Sequence, residues 1–161
     1  SVTHAMSDAM AFAHWVLIAV PSHAFSDVLT LAKPFWHHDI PLLSATKGLD
    51  HSGELLLNVA KAILGDNVPL AVLAGPSFAL EVANGLPTAI TIASSNHELA
   101  SMFANALSFQ HMRVYTSDDV IAAQLGGAVK NVLAIASGVS DGMGLGANAR
   151  AALLTRGMAE M

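Results

Sequence analysis

The sequence predicts an α/β layered fold, and two observations carry that prediction. Up to about residue 117, short apolar strand-like runs alternate with amphipathic helical stretches; from Val120 to Ser140 the texture changes to a single long apolar helix whose one charged residue is Lys130. A domain boundary is therefore expected near Asp118, dividing the chain into residues 1–117 and 118–161.

The elements follow in order. Val16 to Val20 is a continuous branched apolar run closed by Pro21-Ser22, as in a buried strand of a largely parallel sheet. Ser22 is positioned to cap a helix running to about Lys33, where Pro34 ends it, and Ile40 to Ala45 supplies a second buried strand. Thr46-Lys47-Gly48 follows at that strand's carboxyl end. Asp50 or Ser52 is expected to cap the next helix, in which Leu55, Leu56, Val59, Ile63 and Leu64 recur at helical spacing until Gly65-Asp66-Asn67 stops it. Leu70 to Leu73 reads as a third strand. Gly75-Pro76-Ser77 turns the chain into a short helix closed by Asn84-Gly85. Thr88 to Ala93 is a strand, Glu98 to Leu107 a helix and Met112 to Thr116 a short strand.

Beyond the boundary, Asp118 and Asp119 suit the positive end of the long helix, which is expected to be buried. Gly142 to Gly146 forms a bend, and Asn148 is expected to cap a last helix. The seven methionines are expected to fill core gaps.

Composition limits the function. Charged residues make up 12% of the 161 and hydrophobic ones 53%, whereas a typical soluble domain is roughly one quarter charged. Much of the surface is thus expected to pack against protein, and a homo-oligomer is one way to do so. A formal net charge of −5, with seven Lys and Arg scattered singly, offers no basic stripe for nucleic acid. No uninterrupted apolar stretch nears the roughly 20 residues of a membrane span, and no secretory signal opens the sequence, so a cytoplasmic location is expected. Cysteine is absent, and the eight histidines show no pair at helical spacing, so no metal site is expected.

Three places could carry chemistry. Lys130 stands alone in an apolar helix; burial there would lower its pKa and suit it to exchange a proton with a carbonyl, unless its stem lies along the core while its head reaches water. Gly127 and Ser137 lie on nearly the same helical face. Lys47 occupies a strand's carboxyl end, where open α/β sheets bind ligands, and is placed to meet an anion or to be solvated in a loop. Ser77 holds the same kind of position and either caps its helix or meets a substrate oxygen.

Four motifs in order, Ala45-Thr46-Lys47-Gly48-Leu49, Gly75-Pro76-Ser77-Phe78-Ala79-Leu80-Glu81, Gly85-Leu86-Pro87-Thr88-Ala89 and Gln124-Leu125-Gly126-Gly127-Ala128-Val129-Lys130-Asn131, resemble those of bacterial-type NAD(P)-dependent glycerol-3-phosphate dehydrogenases. The likeness continues through Ser140-Asp141-Gly142 to Thr155-Arg156-Gly157. It implies that residues 1–117 are part of a Rossmann-like doubly wound sheet and residues 118–161 the start of an all-α domain. It also implies hydride transfer between NAD(P)H and dihydroxyacetone phosphate, giving sn-glycerol 3-phosphate for phospholipid synthesis. By resemblance Lys130 is the catalytic proton donor and acceptor, with Asn131 beside it; Lys47, Gly75 and Ser77 contact substrate; and Lys47, Ala79, Pro21 and Ser22 border the cofactor, NAD or NADP.

The family's Gly-x-Gly-x-x-Gly turn and its later aspartate and Arg-Asn pair find no match, so the chain is expected to be a middle portion of the enzyme. Two other readings stand beside this one. One is a non-catalytic remnant or interaction module of the same fold. The other is a relative of the 3-hydroxyacid dehydrogenases, which typically carry an asparagine one turn after the lysine, where this chain has Ala134.

Overall fold

The structure, a computed structural model, describes residues 2–160. Five strands form one sheet in the order β1-β2-β3-β4-β5: β1 (Val16–Ile18), β2 (Leu42–Ser44), β3 (Leu70–Ala74), β4 (Thr88–Ala93) and β5 (Met112–Ser117). β1, β2 and β3 run parallel, β4 is antiparallel to β3, and β5 is parallel to β4. The sheet is thus mixed, with one reversed pair in an otherwise parallel arrangement, in keeping with the largely parallel sheet expected. The short helix α4 (Ala79–Ala83) joins β3 to β4 at the reversal.

That reversal also accounts for the two layers. A strand-helix-strand crossover is right-handed, so α2 (Phe25–Ala32) and α3 (Leu56–Leu64), which link upward strands, lie on one face. Helix α5 (His97–Leu107) links downward strands and lies on the other. Phe25, Leu29, Leu42, Leu56 and Ala60 fill the first layer, and Leu43, Ala71, Ile92, Leu99 and Phe103 the second. Full burial of each large side chain stabilises the fold by about 1.5 to 3 kcal/mol. Trp15 stacks edge-on against Phe103 with ring centroids 5.5 Å apart.

Helix starts differ from those expected. Ser22 opens a 3-10 turn, Ser22–Ala24, before α2 and caps nothing. Leu55 stands at the N-cap of α3, because the Asp50 carboxylate is engaged with its neighbours His51 and Ser52. Asn96 caps α5 by accepting from the Leu99 amide. A short helix, α1 (Met6–Met10), precedes the first strand, where no element was expected. Of the methionines, Met10 and Met112 are buried, while Met102, Met143 and Met158 are exposed; Met161 lies outside the described residues.

The long helix is α6 (Val120–Gly142), and Asp119 caps it by accepting from the Ala122 amide at 2.9 Å. After a bend in which Gly144 and Gly146 take φ of +69° and +83°, α7 (Gly146–Ala159) returns along it, with Leu145 rather than Asn148 at the cap. α6 is not the buried helix expected from its composition. Its first turns rest on the sheet through Val120 and Ala123, α7 covers one further strip, and Ile121, Val132, Ile135 and Val139 face outward. By length and composition alone α6 could cross a membrane; its beginning is nevertheless tied to α3 through Gln124.

A candidate two-lysine active site

The candidate site lies where β1, β2 and β3 end together. Parallel pairing aligns their carboxyl ends, so the loops that follow them meet at one edge. The Val20 amide donates to Thr46 Oγ1 at 3.3 Å, joining the first two loops. Gly48, at φ +120°, passes so close to Ser22 that a Cβ there would lie 3.2 Å from Ser22 Oγ. Gly75, at φ +104°, is pressed against β4, where a Cβ would come within 3.2 Å of the Ala89 carbonyl oxygen. These contacts make a ledge of closely apposed loops.

Lys47 crosses that ledge and donates from Nζ to Ser77 Oγ at 2.8 Å. Ser77 caps no helix: Phe78 holds that position for α4, without a side-chain cap bond. α6 closes the site from above. Gly127 approaches the lysine stem so closely that a Cβ there would sit 3.6 Å from Lys47 Cγ. One turn on, Lys130 and Asn131 face the same space. The result is a cavity of about 620 Å³ bordered by Lys47, Gly75, Pro76, Phe78, Lys130 and Asn131.

Electrostatics separates the two lysines. Partial burial, and after it the nearby Lys130 charge, hold the Lys47 ammonium below the ordinary lysine pKa. Of the two readings of Lys130, buried or with its head reaching water, the structure has the second: the residue is exposed and leaves α6 toward the open cavity. The surroundings of Lys47 thus loosen its proton. Two cations around a mainly apolar cavity, with a hydroxyl and a carboxamide within reach, suit a small anion that also bears an uncharged polar group.

Lys47, Gly75, Ser77, Lys130 and Asn131 are thus brought together. Pro21 and Ser22 stand beside them at the end of β1, in touch with the site through Gly48. Ala79 lies elsewhere: it borders, with Ser77, Leu17, Ala45 and Leu73, an apolar groove of about 430 Å³ on the sheet face of α5. Ser137 does not reach the cavity. Among the described residues no group of three or more His, Asp or Glu side chains could hold a metal. Gln124 and Thr46 had not been assigned roles from the sequence, although a lone glutamine six residues before Lys130 in an apolar helix is a visible signal.

Comparison with known proteins gives concordant matches. The family profile for the NAD-dependent glycerol-3-phosphate dehydrogenase N-terminus matches residues 1–100, and that for the C-terminus matches residues 119–161. A glycerol-3-phosphate dehydrogenase (NAD(P)+) of Colwellia psychrerythraea is 54% identical over 148 residues, covering 91% of this chain and 44% of that protein. One from Bartonella henselae is 55% identical over the same length and coverage. The crystal structure of glycerol-3-phosphate dehydrogenase from Coxiella burnetii superposes with a TM-score of 0.89 at 46% identity, over 96% of this chain and 47% of that one. The chain therefore spans just under half the length of these relatives.

Proposed function

We propose, from the premise that this chain belongs to the NAD-dependent glycerol-3-phosphate dehydrogenase family, that its two-lysine cavity is the proton-transfer and anion-binding part of a site interconverting dihydroxyacetone phosphate and sn-glycerol 3-phosphate. The observation that carries this reading is the convergence of Lys47, Lys130 and Asn131 on one cavity at the strands' carboxyl ends, with Ser77 holding the Lys47 ammonium from beside it.

In this reading Lys130 is the catalytic residue. Its side chain is exposed to the cavity, free of any salt bridge among the described residues, and gives its proton to the carbonyl oxygen as negative charge develops there. Lys47 lies opposite and stabilises that charge, and its bond to Ser77 fixes where the ammonium points. Gly75 permits close approach because no side chain fits there, and Asn131 offers both a donor and an acceptor to the substrate's hydroxyl. The reverse reaction uses the same groups, with Lys130 receiving the proton.

The residues fit a nicotinamide dinucleotide, NAD or NADP, along the same ledge. Pro21 and Ser22 present an open edge at the end of β1, and Ala79 with its apolar groove offers a flat surface to an aromatic ring. When bound, such a cofactor supplies the hydride to the carbonyl carbon. Residues 1–117 and 118–161 act in this scheme as a cofactor-side and a substrate-side domain, in a cytoplasmic oxidoreductase feeding phospholipid synthesis.

The test is a thermal melt of the chain with dihydroxyacetone phosphate, with NADPH and with both, repeated on Lys47→Ala. Stabilisation by the phosphate ester that the substitution abolishes supports the reading. A cooperative melt that no ligand moves contradicts it and favours a non-catalytic module of the same fold.

A further inference from the structure

We propose that Gln124, which no part of the lysine chemistry requires, is the positioning residue that sets α6, and with it Gly127 and Lys130, against Lys47. The proposal rests on the two-lysine reading of the site.

The geometry begins at α3. The first turn of a helix leaves backbone amides without partners inside the helix, and α3 has no side-chain cap at Leu55 to serve them. The Leu57 amide belongs to that turn, on a residue only 4% exposed, so water cannot serve it either. Gln124 Oε1 accepts from it at 3.0 Å across 67 residues of sequence. The same carboxamide donates from Nε2 to the Val120 carbonyl at 3.2 Å. Both ends are engaged, which fixes the amide's orientation: a flipped carboxamide would set donor against donor and acceptor against acceptor.

Among the described residues this is the one hydrogen bond between α6 and the helices and strands before residue 117. Val120 and Ala123 add apolar contact with the core beneath, and apolar contact resists sliding and rotation far less specifically than a directed bond. Gln124, Gly127 and Asn131 are spaced three and four apart, so they share a face of α6. Lys130 lies six residues on, about 9 Å along the axis at 1.5 Å per residue. A rotation about the helix axis that breaks the Leu57 bond would carry Gly127 off the Lys47 stem and turn Lys130 away from the cavity. A side chain that is buried, bonded at both ends and set on the face that meets Lys47 is placed to prevent such a rotation.

The test reads Lys47 directly, with no ligand. Lysine ε-carbons are labelled with carbon-13, the Lys47 signal is assigned with Lys47→Arg, and its titration is followed by NMR in the unsubstituted chain, in Gln124→Met and in Gln124→Asn. Methionine keeps the volume without the bonds, and asparagine keeps the amide but falls short of Leu57. In either variant the Lys47 titration is expected to move upward, toward that of an ordinary lysine, because α6 no longer shields it or holds Lys130 beside it. Loss of thermal stability alone would not move that titration. A folded variant in which Lys47 titrates as in the unsubstituted chain overturns the proposal. Should neither variant fold, hydrogen exchange on the unsubstituted chain decides: the Leu57 amide must exchange as slowly as amides of β2 and β3, and rapid exchange overturns the proposal. Neither readout involves a phosphate ester, so failure here is separate from failure of ligands to raise the melting temperature.

Discussion

Lys47 Nζ and Ser77 Oγ are 2.8 Å apart, across the carboxyl ends of β2 and β3. The bond joins residues 30 apart in sequence and orients a lysine whose pKa partial burial lowers. Ser77→Ala removes the acceptor and lets the ammonium swing. A hydrogen bond to a partly exposed charged group is worth about 1 kcal/mol, so a modest fall in melting temperature is expected. Binding of a phosphate ester should weaken more than this, and calorimetric titration of the variant against the unsubstituted chain compares the two losses.

The direction of the Lys47 shift fixes the sign of a pH effect. Folding lowers this pKa, so between the folded value and the ordinary 10.5 the unfolded chain binds more protons than the native one. The buried charge therefore weakens the native state at neutral pH, and that weakness is relieved as pH rises toward 10.5. Lys47→Met should raise stability near neutrality and flatten the alkaline rise, as read from denaturant midpoints at several pH values. An anion bound between the two lysines should shift Lys47 back upward.

At the acid end, hydrogen bonds from His51 and then from Ser52 lower the Asp50 pKa to about 2, from an ordinary 3.8. Stability from this group is present above the ordinary value and is lost as pH falls from 3.8 toward 2. Asp50→Asn should make acid unfolding less steep in that window. Melts between pH 2 and pH 5 would show it.

Gly75 and Gly127 should respond in opposite ways to the same change. At Gly75 a Cβ meets the β4 backbone and the positive φ strains any other residue, so Gly75→Ala should destabilise by about 1 to 3 kcal/mol. At Gly127 a Cβ meets the Lys47 stem at an ordinary 3.6 Å, and α6 gains helix propensity, so Gly127→Ala should stabilise by up to about 1 kcal/mol. Gly127→Leu would push the stem aside and abolish anion binding. Denaturant unfolding measures the two alanine variants, and calorimetric titration with a phosphate ester measures Gly127→Leu.

Much of this architecture was legible in the residues, because periodicity reports which face is buried. Thr88–Ala93 forms the strand expected of it, and the apolar runs ending at Pro21, Thr46 and Gly75 do place three loops at one edge. Periodicity carries no strand direction, so the reversal at β4 was invisible, and so was the placing of α5 on the opposite face. Capping was misread where two polar residues compete: Asp50 bonds to its own neighbours rather than to α3. Ser77 was left between capping and ligand binding, and the choice depends on Lys47, 30 residues away. The largest error concerned α6, since apolar composition shows that a surface favours contact but not what lies against it. Lys130 consequently stands exposed, and partial burial lowers the pKa of Lys47.

Calorimetric titration of sn-glycerol 3-phosphate into the unsubstituted chain, Lys47→Ala and Lys130→Ala, each at low and at high salt, tests the two-lysine site most directly. Binding to the unsubstituted chain that weakens with salt and is lost in both variants is the expected result. Equal binding by all three proteins, or none by a demonstrably folded unsubstituted chain, would contradict it.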